Sequence, residues 1–188
     1  DPRLAEERAA IREGRPVFGR GDRLSGRTGR ETTLEGDAEV RKAGTAIRAD
    51  RLTYYEADDE LVAVGNVRIT RQGNVFTGPQ LQLKLDANEG WFTTPSYYLA
   101  QYGGRGRAER IDFLGHDLTR LIRATYTTCE PENPDWLLVS DTLTIDEAAG
   151  DGTGRSASLY FKGLKILGAP VFTFPLSDER RSGFLAPS

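Results

Sequence analysis

The first half of the chain contains a repeat of 29 residues, which constrains the fold more than any other feature. The segment 34–40 aligns with 63–69 at that offset, and the same offset relates Ile47 to Phe76. Agreement at several apolar and turn positions together indicates a duplicated structural unit, because chance matches do not extend over so many positions. The repeat is clear as far as Trp91.

Within each unit the apolar residues alternate with polar ones, which is the period of a half-buried β-strand. The alternation shifts by one residue between Ala49 and Leu52 and between Val64 and Val67. Such a shift would turn all later side chains to the other face unless a bulge or corner restored their direction. The sequence therefore predicts strands of four to six residues that bend at regular corners. Residues suited to corners occur at Gly36-Asp37, Gly65-Asn66 and Gly78-Pro79.

Turn-rich, charged segments separate the apolar runs at 56–60, 71–74 and 86–90. Short strands that recur about every 8 to 12 residues between such turns are typical of an all-β sandwich, jelly roll or open solenoid. A helix is expected only near the N-terminus, at Leu4–Arg12. Further strands are predicted at Ile111–Phe113, Leu121–Thr127, Trp136–Leu143, Ser158–Phe161 and Leu164–Phe174.

Composition excludes several classes of protein. Hydrophobic residues make up 38% and charged residues 28% of the 188 residues, as is typical of a globular chain. The net charge of -3 is too small to indicate a nucleic-acid-binding protein. No apolar run approaches the roughly 18 residues of a membrane helix. Because the chain has no methionine and no secretory signal, we expect a mature product or a domain excised from a larger parent.

No constellation of residues indicates catalysis. With one histidine and one cysteine, the chain is predicted to have no metal site, no catalytic triad and no cofactor. Glu130, Glu132 and Asp135 could form an acid–base pair, but their surroundings are typical of a solvated loop. The glycine-rich segments 103–107 and 150–154 lack the ending and the following helix of a phosphate-binding loop, so we expect connections there.

Cys129 has more than one interpretation. It can be a small hydrophobic residue of the core, or it can pair with a cysteine outside this chain. A catalytic nucleophile is disfavoured, because the single histidine, His116, implies no triad.

The inward positions of the repeat are apolar, so they form either an ordinary filled core or, if two sheets separate along one edge, a trough. A trough would suit a lipid chain, since each buried methylene contributes about 0.8 kcal/mol. The candidate lipid-binding residues are Val40, Ile47, Leu52, Tyr54, Val64, Val67, Ile69, Phe76, Leu81, Leu83, Leu85 and Trp91.

Three segments resemble a known family. The repeated segments 36–40 and 65–69 resemble the repeat of the OstA-type lipopolysaccharide-transport domains. Ala124–Glu130, with Trp136 behind it, and the ending Gly168–Pro187 resemble the N-terminal periplasmic domain of the outer-membrane lipopolysaccharide-assembly proteins. The resemblance extends from about Pro16 to Pro187.

The resemblance implies an open β-jelly roll of two splayed antiparallel sheets over residues 16–175, with a lead-in at 1–15 and a linker at 176–188 towards a C-terminal β-barrel. It implies a non-enzymatic conduit at the periplasmic face of the outer membrane of a Gram-negative bacterium. The domain would receive lipopolysaccharide from a periplasmic bridge protein of related fold and pass it to the barrel, which a lipoprotein plugs. Cys129 matches a family cysteine that forms a disulfide with the barrel.

An open jelly roll leaves a sheet edge whose backbone groups can pair with a partner strand. By resemblance, the bridge protein would dock at this edge, at Phe18, Leu24, Leu34 and Val40. The alternatives are a soluble bridge component of the same transport system, a polysaccharide-active jelly-roll enzyme, and a structural adaptor with a filled core.

Overall fold

The computed structural model describes residues 17–42, 44–130 and 132–176. Within these ranges the chain consists of antiparallel β-strands and turns, without helix, which confirms the predicted all-β class. The helix predicted at Leu4–Arg12 lies outside the described residues, as do the lead-in 1–15 and nearly all of the linker 176–188. The strands are β1 Phe18–Arg20, β2 Arg23–Arg27, β3 Glu31–Lys42, β4 Thr45–Tyr55, β5 Glu60–Arg71, β6 Asn74–Lys84, β7 Glu89–Thr93, β8 Ser96–Leu99, β9 Gly104–Arg107, β10 Arg110–Leu114, β11 Leu118–Tyr126, β12 Trp136–Asp146, β13 Asp151–Phe161 and β14 Leu164–Pro175.

The long strands contribute one half to each of two sheet layers, which we call leaf A and leaf B. In β3, one half pairs with β1 and the other with β2, and β6 divides in the same way between β8 and β7. The predicted strands of four to six residues are therefore halves of strands of up to 12 residues. Leaf A contains β1, 38–42, 45–49, 67–71, 74–78, β8, β9, 124–127, 136–140, 157–161 and 164–169. Leaf B contains β2, 31–35, 51–55, 60–64, 80–84, β7, β10, 118–122, 142–146, 151–155 and 171–175.

A line of corners separates the leaves. The pairing register shifts between Glu35 and Ala38 and between Val64 and Val67, at the glycine-containing pairs predicted to form corners. Each such unit has a non-glycine corner residue with a positive φ, a conformation that is costly for residues other than glycine and least so for Asn and Asp. These residues follow at intervals of 29, 28, 29 and 33, so the repeat continues in the backbone well beyond Trp91. They are Asp37, Asn66, Thr94, Arg123 and Ser156.

The polar residues of the repeat build the first corners. Asp22 and Asp50 place their carboxylates over Gly36 and Gly65, where a Cβ atom would collide with them. At the second corner, Asn66 Nδ2 donates to Asp50 Oδ2 at 3.0 Å. The repeated pairing of an aspartate with a glycine 14 or 15 residues later is therefore a requirement of the bend.

The prediction of connections at 103–107 and 150–154 is wrong, because both segments lie mainly in strands. Their glycines are needed for close packing of aromatic rings. A Cβ atom at Gly104 would collide with the ring of Tyr126, and one at Gly152 with the ring of Phe174.

The core lies between the leaves as one cluster of buried apolar side chains. Phe76 of leaf A meets Phe113 of leaf B edge to face, with ring centroids 5.4 Å apart. Near the other end, Tyr126 of leaf A lies 4.9 Å from Phe174 of leaf B. Among the described strands the sheet does not close on itself: β1 and β2 form one edge and β14 the other. The described fold is thus an open, two-layered antiparallel sheet, as the jelly-roll prediction requires.

Candidate functional site

The space between the leaves is the candidate site. Tyr54, one of the twelve predicted inward residues, is half-buried and packs against the core cluster. Nine others are buried between the leaves, and their lipid-binding role stays a prediction. These are Val40, Ile47, Leu52, Val67, Ile69, Phe76, Leu81, Leu83 and Leu85.

Val64 does not face inward: its side chain is 46% exposed on the outer face of leaf B. Leu61 and Ala63 are fully buried in its place, opposite Leu83 and Leu81. All four residues from 61 to 64 are apolar, so alternation alone does not distinguish the two faces. The partner strand decides, because directly paired residues lie on the same face of a sheet.

Trp91 also lies on the outer face. It pairs with Gln82 and Asp112, and the guanidinium of Arg110 lies 5.6 Å from its ring centroid. Its neighbour Phe92 is fully buried and faces inward. The two aromatic residues are adjacent in sequence, so only the register of β7 assigns one to each face.

Sequence reasoning missed the inward residues of the second half of the chain. Period-two alternation is present in β10 to β12 and could have identified them. Together with the residues of the repeat, they make the apolar interior continuous from β3 to β12. They include Ile111, Phe113, Leu121, Tyr126, Leu143 and Ile145.

The interior is packed. Between the leaves, a cavity of about 40 Å³ lies against Phe76, Phe113 and Leu121. A single water molecule needs about 10 to 15 Å³ of such space, so the cavity could hold a few waters and no acyl chain. An acyl chain would have to separate the leaves to lie between them.

Polar side chains join the leaves at the rim opposite the corners. Lys42 ends β3 on the inner face with only 6% of its side chain exposed, and its Nζ reaches Asp59 at 2.5 Å and Asp86 at 3.2 Å. Tyr54 donates its hydroxyl to Asp59 at 2.6 Å. The backbone N–H of Asp86 donates to the second carboxylate oxygen of Asp59 at 2.8 Å. We call these four residues the rim latch.

Lys42 and Asp59 in the rim latch are ionised at neutral pH. Burial alone would lower the pKa of Lys42, but hydrogen bonds to Asp59 and Asp86 outweigh it and raise that pKa. Burial opposes ionisation of Asp59, yet hydrogen bonds from Lys42, Tyr54 and the Asp86 backbone hold the pKa of its carboxyl below the usual value. Burial and the bond to Asp59 raise the pKa of Tyr54 to about 12. Lysine and aspartate are therefore an ion pair at neutral pH.

Two weaker contacts cross the rim further along. Arg71 Nη2 lies 2.9 Å from His116 Nδ1 in an exposed contact. Asn74 Nδ2 donates to Glu147 at 3.5 Å, at the limit of hydrogen-bond distance. Burial raises the pKa of Glu147. The rim is therefore held most firmly at the rim latch.

Two of the four residues of the predicted docking edge lie at the edge of the sheet and two do not, and docking there stays a prediction. Phe18 in β1 and Leu24 in β2 lie on the outermost strands with exposed side chains. Leu34 and Val40 belong to β3, which β1 and β2 cover, and both are buried in the core. They cannot reach a partner strand, because the chain folds back over them at Gly21.

An arginine cluster fastens β1 to β3. The buried carboxylate of Glu39 accepts hydrogen bonds from Arg20 at 2.6 Å, from Arg48 at 3.2 Å and from Arg41. The bond from Arg41, followed by those from Arg20, outweighs burial and lowers the pKa of Glu39 to about 2. The short edge strand is thus anchored by charge in addition to its backbone pairing.

Cys129 lies in the turn between β11 and β12 as a free, half-buried thiol. A hydrogen bond from the backbone of Trp136, with that from the Thr127 hydroxyl, lowers the pKa of its thiol. Neighbouring Glu130 is exposed and forms an ion pair with Arg105 at 3.1 Å. In the described ranges, no three His, Cys, Asp or Glu side chains are grouped to hold a metal ion. Among the same residues, no helix is long and apolar enough to span a membrane.

Relatives that all carry one name match nearly the whole length of the chain. The chain is 45% identical to LPS-assembly protein LptD of Ralstonia nicotianae over 186 residues, covering 99% of the chain and 23% of that protein. It is 47% identical to LPS-assembly protein LptD of Cupriavidus pinatubonensis over 188 residues, with the same coverage. The chain thus spans about a quarter of the length of these relatives. No family model matches it.

A solved structure of low similarity is LptH of Pseudomonas aeruginosa, the LptA homologous periplasmic component of a lipopolysaccharide transport device. It shares 12% identity and a TM-score of 0.30, covering 70% of this chain and 76% of that one. The sequence matches alone support the assignment of the chain to a family, since identity near 45% extends over 99% of the chain. The chain belongs to the LPS-assembly protein LptD family and represents its N-terminal domain.

Proposed function

We propose that this domain lies at the periplasmic face of the outer membrane and carries lipopolysaccharide without catalysing a reaction. It receives the lipid from a periplasmic bridge protein of related fold, shields its acyl chains between the leaves and passes it to the β-barrel of the same protein. The observation that carries this proposal is the continuous apolar interior between two unclosed leaves, in a chain homologous to LPS-assembly proteins.

Burial of an acyl chain can offset the loss of the ion pair at the rim. Burial of an acyl chain with a dozen methylenes contributes about 10 kcal/mol. Breaking a buried ion pair costs about 3–5 kcal/mol. A single chain therefore more than offsets the loss of the contact between Lys42 and Asp59.

The leaves separate at the rim and not at the corners. At the corners the two leaves are joined by continuous backbone in strands such as β4 and β5. At the rim, the described residues join them through side-chain contacts, such as Lys42 with Asp59 and Arg71 with His116. A hinge at the corners leaves the hydrogen-bonded ladders of both leaves intact. Acyl chains would enter sideways through this opening.

The bridge protein docks by adding a strand to the edge formed by β1 and β2. Edge strands carry free N–H and C=O groups that a partner strand can pair with. Phe18 and Leu24 supply exposed apolar side chains there. Leu24→Pro is expected to weaken binding of the bridge protein, measured by titration. Unchanged binding by a variant with an unaltered unfolding midpoint would exclude this edge.

Cys129 forms a disulfide with the β-barrel, and the barrel with its plugging lipoprotein is the receiving partner. The exposed turn that holds Cys129 and its lowered thiol pKa support this role. The jelly roll extends over 16–175, and 176–188 link it to the barrel. In the full-length protein, Cys129→Ser should remove an interdomain disulfide that is detectable by non-reducing electrophoresis.

Photo-crosslinking tests the conduit. A photoreactive phenylalanine analogue is placed at inward positions and, as a matched control, at the outward residue beside each. Adducts with lipopolysaccharide are expected at inward positions only, and their absence from every inward position would contradict the proposal. The inward and outward pairs are Ile69 and Arg68, Phe76 and Thr77, and Leu83 and Gln82.

A further inference from the structure

The edge formed by β1 and β2 has two halves, and the charges on their outer faces are matched differently. Paired residues lie on the same face of a sheet, so the strand pairing identifies the outward side chains. In leaf B, the outer faces of β2, β3, β4 and β5 carry three arginines and three glutamates, so this half of the edge is neutral as a whole. They are Arg23, Arg27 and Arg51 with Glu31, Glu35 and Glu60.

In leaf A, the outer faces of β1, β3, β4 and β5 carry four arginines and one glutamate. Three of the arginines form ion pairs with the carboxylate of Glu39, whose side chain is 2% exposed, while each arginine side chain remains between 60% and 68% exposed. The fourth lies directly opposite one of these three and forms no ion pair with a described residue. The outer face of leaf A beside this edge therefore has an excess of positive charge. The arginines are Arg20, Arg41, Arg48 and Arg68.

The acidic residues nearest to these arginines lie at the corner. Asp22 and Asp50 hold their carboxylates over the corner glycines, and Asp37 is exposed at the corner itself. Within the described ranges, none of these three aspartates forms an ion pair with an arginine. The positive charge is therefore least compensated away from the corner, where Arg41 lies opposite Phe18 of β1.

A partner strand added to β1 would continue the rows of the outer face. Phe18 is 66% exposed and Arg20 follows two residues later, so both side chains lie on the same face of β1. A new strand would place its own outward side chains next to these two, and contacts between such neighbours stabilise strand pairing. Because β1 has only three residues, its backbone offers few hydrogen bonds and side chains must contribute to the choice of partner.

We propose that the bridge protein adds its strand to β1 in leaf A, and that this strand carries an acidic residue beside Arg20 and an apolar residue beside Phe18. The assignment rests on the proposed function. It goes further by naming the half of the edge that is used and the chemistry of the partner strand.

Charge disfavours a second copy of this chain at β1. The opposite edge strand, β14, contains no acidic residue. Its Lys165 pairs with Tyr160, which lies on the outer face of leaf A opposite Leu137. A second copy that docked through β14 would bring Lys165 towards Arg20, and like charges on neighbouring strands destabilise their pairing. The edge thus favours an acidic partner strand over the chain itself.

The first test is titration of the domain with the purified bridge protein at low salt and at about 1 M salt, which screens exposed charges beyond about 3 Å. Arg20→Gln is expected to weaken binding about twofold to fivefold at low salt and much less at high salt, as for one cross-strand charge pair. Arg20→Lys keeps the charge and should bind like the parent domain. The matched control, Arg68→Gln, removes a charge from the same face three strands away from β1 and should change the affinity little.

Glu39→Gln distinguishes recognition of charge from anchoring of β1. It removes the ion pair with Arg20, as Arg20→Gln does, but raises the positive charge of the edge. Recognition of an acidic strand predicts binding about twofold tighter at low salt. Weaker binding by Glu39→Gln and Arg20→Gln alike would show that the ion pair only anchors β1, and would overturn the proposal.

The apolar contact is tested separately. Phe18→Asn should weaken binding about threefold to tenfold at both salt concentrations, since it removes apolar surface from the contact. The matched control is Val64→Asn, an exposed apolar residue on the outer face of leaf B, which should bind like the parent domain.

Failure of this proposal can be distinguished from failure of the proposed function. If Leu24→Pro weakened binding but Arg20→Gln and Phe18→Asn did not, the bridge protein would dock at β2 and only the assignment to β1 would be wrong. No effect of any of these variants would exclude docking at the edge altogether. Two other results would also overturn the proposal, if binding of the bridge protein were unchanged. A change of self-association of Arg20→Gln in sedimentation would identify a second copy as the occupant, and loss of its binding to phosphatidylglycerol vesicles would identify a lipid surface.

Discussion

Removal of the lysine from the rim latch tests the closed state most directly. Lys42→Met keeps the length and apolar stem of the side chain and deletes the charge that Asp59 and Asp86 share. Loss of one member of a fully buried pair costs about 3–5 kcal/mol. Asp59 and especially Asp86 retain contact with solvent, so we expect a loss of about 2–3 kcal/mol in the free energy of unfolding.

The measurement is urea unfolding followed by tryptophan fluorescence, with Lys84→Met as the matched control on the outer face. The control should change stability by less than about 0.5 kcal/mol. Asp59→Asn combined with Lys42→Met should cost less than the sum of the two single changes, because the two residues form one network. Lys42→Met alone should also increase the rate at which a photoreactive group at position 76 forms adducts with lipid, since the rim of this variant opens more easily. A loss below about 0.5 kcal/mol, or additive effects, would refute the ion pair as the contact that closes the rim.

Three further changes test other parts of the fold. Because the pKa of Glu39 is lowered to about 2, its stabilisation is complete above the usual value of 4.5 and is lost as pH falls towards 2. Glu39→Gln should therefore reduce the change in the free energy of unfolding over that pH range by about 1–2 kcal/mol. This value is lower than the full pKa shift implies, because the arginine partners are exposed. Identical profiles of stability against pH for the variant and the parent would contradict this. Asn66→Val should cost about 1–2 kcal/mol in thermal unfolding and Asn66→Gly much less, since φ is +46° at this corner; equal costs would exclude backbone strain. Phe113→Ala should cost about 3–5 kcal/mol by removing the contact with Phe76 across the leaves, and a cost near that of an exposed residue would show that the leaves do not pack there.

The corners illustrate how far local sequence information extends. Gly36-Asp37 and Gly65-Asn66 could be identified as corners because few residues tolerate a positive φ and the alternation had to be restored there. Thr94, Arg123 and Ser156 adopt the same conformation without a favourable residue type. Pairing with neighbouring bent strands imposes it on them, so the repeat continues in the backbone after it fades from the sequence.

In the candidate site, too, local sequence information assigns some residues to the correct face and fails at others. Alternation correctly placed Leu81 and Leu83 inside, because polar neighbours mark the opposite face. It failed at Val64, in a run of apolar residues, and at Trp91, beside Phe92. In both cases the residue on the paired strand decides which side chain is buried.

The sequence by itself determined an all-β chain of bent strands with an apolar side, together with its family, because alternation, corner residues and motif segments are local properties of the chain. Only the tertiary structure decided that the two leaves close on a packed interior, that Lys42 joins them at the rim, and that three arginines share the carboxylate of Glu39. These features join residues far apart in sequence, such as Phe76 with Phe113 and Lys42 with Asp86, and no local pattern encodes which distant faces meet. The 29-residue repeat therefore specifies each section of the sheet, whereas the packing of one leaf on the other specifies where a lipid could lie.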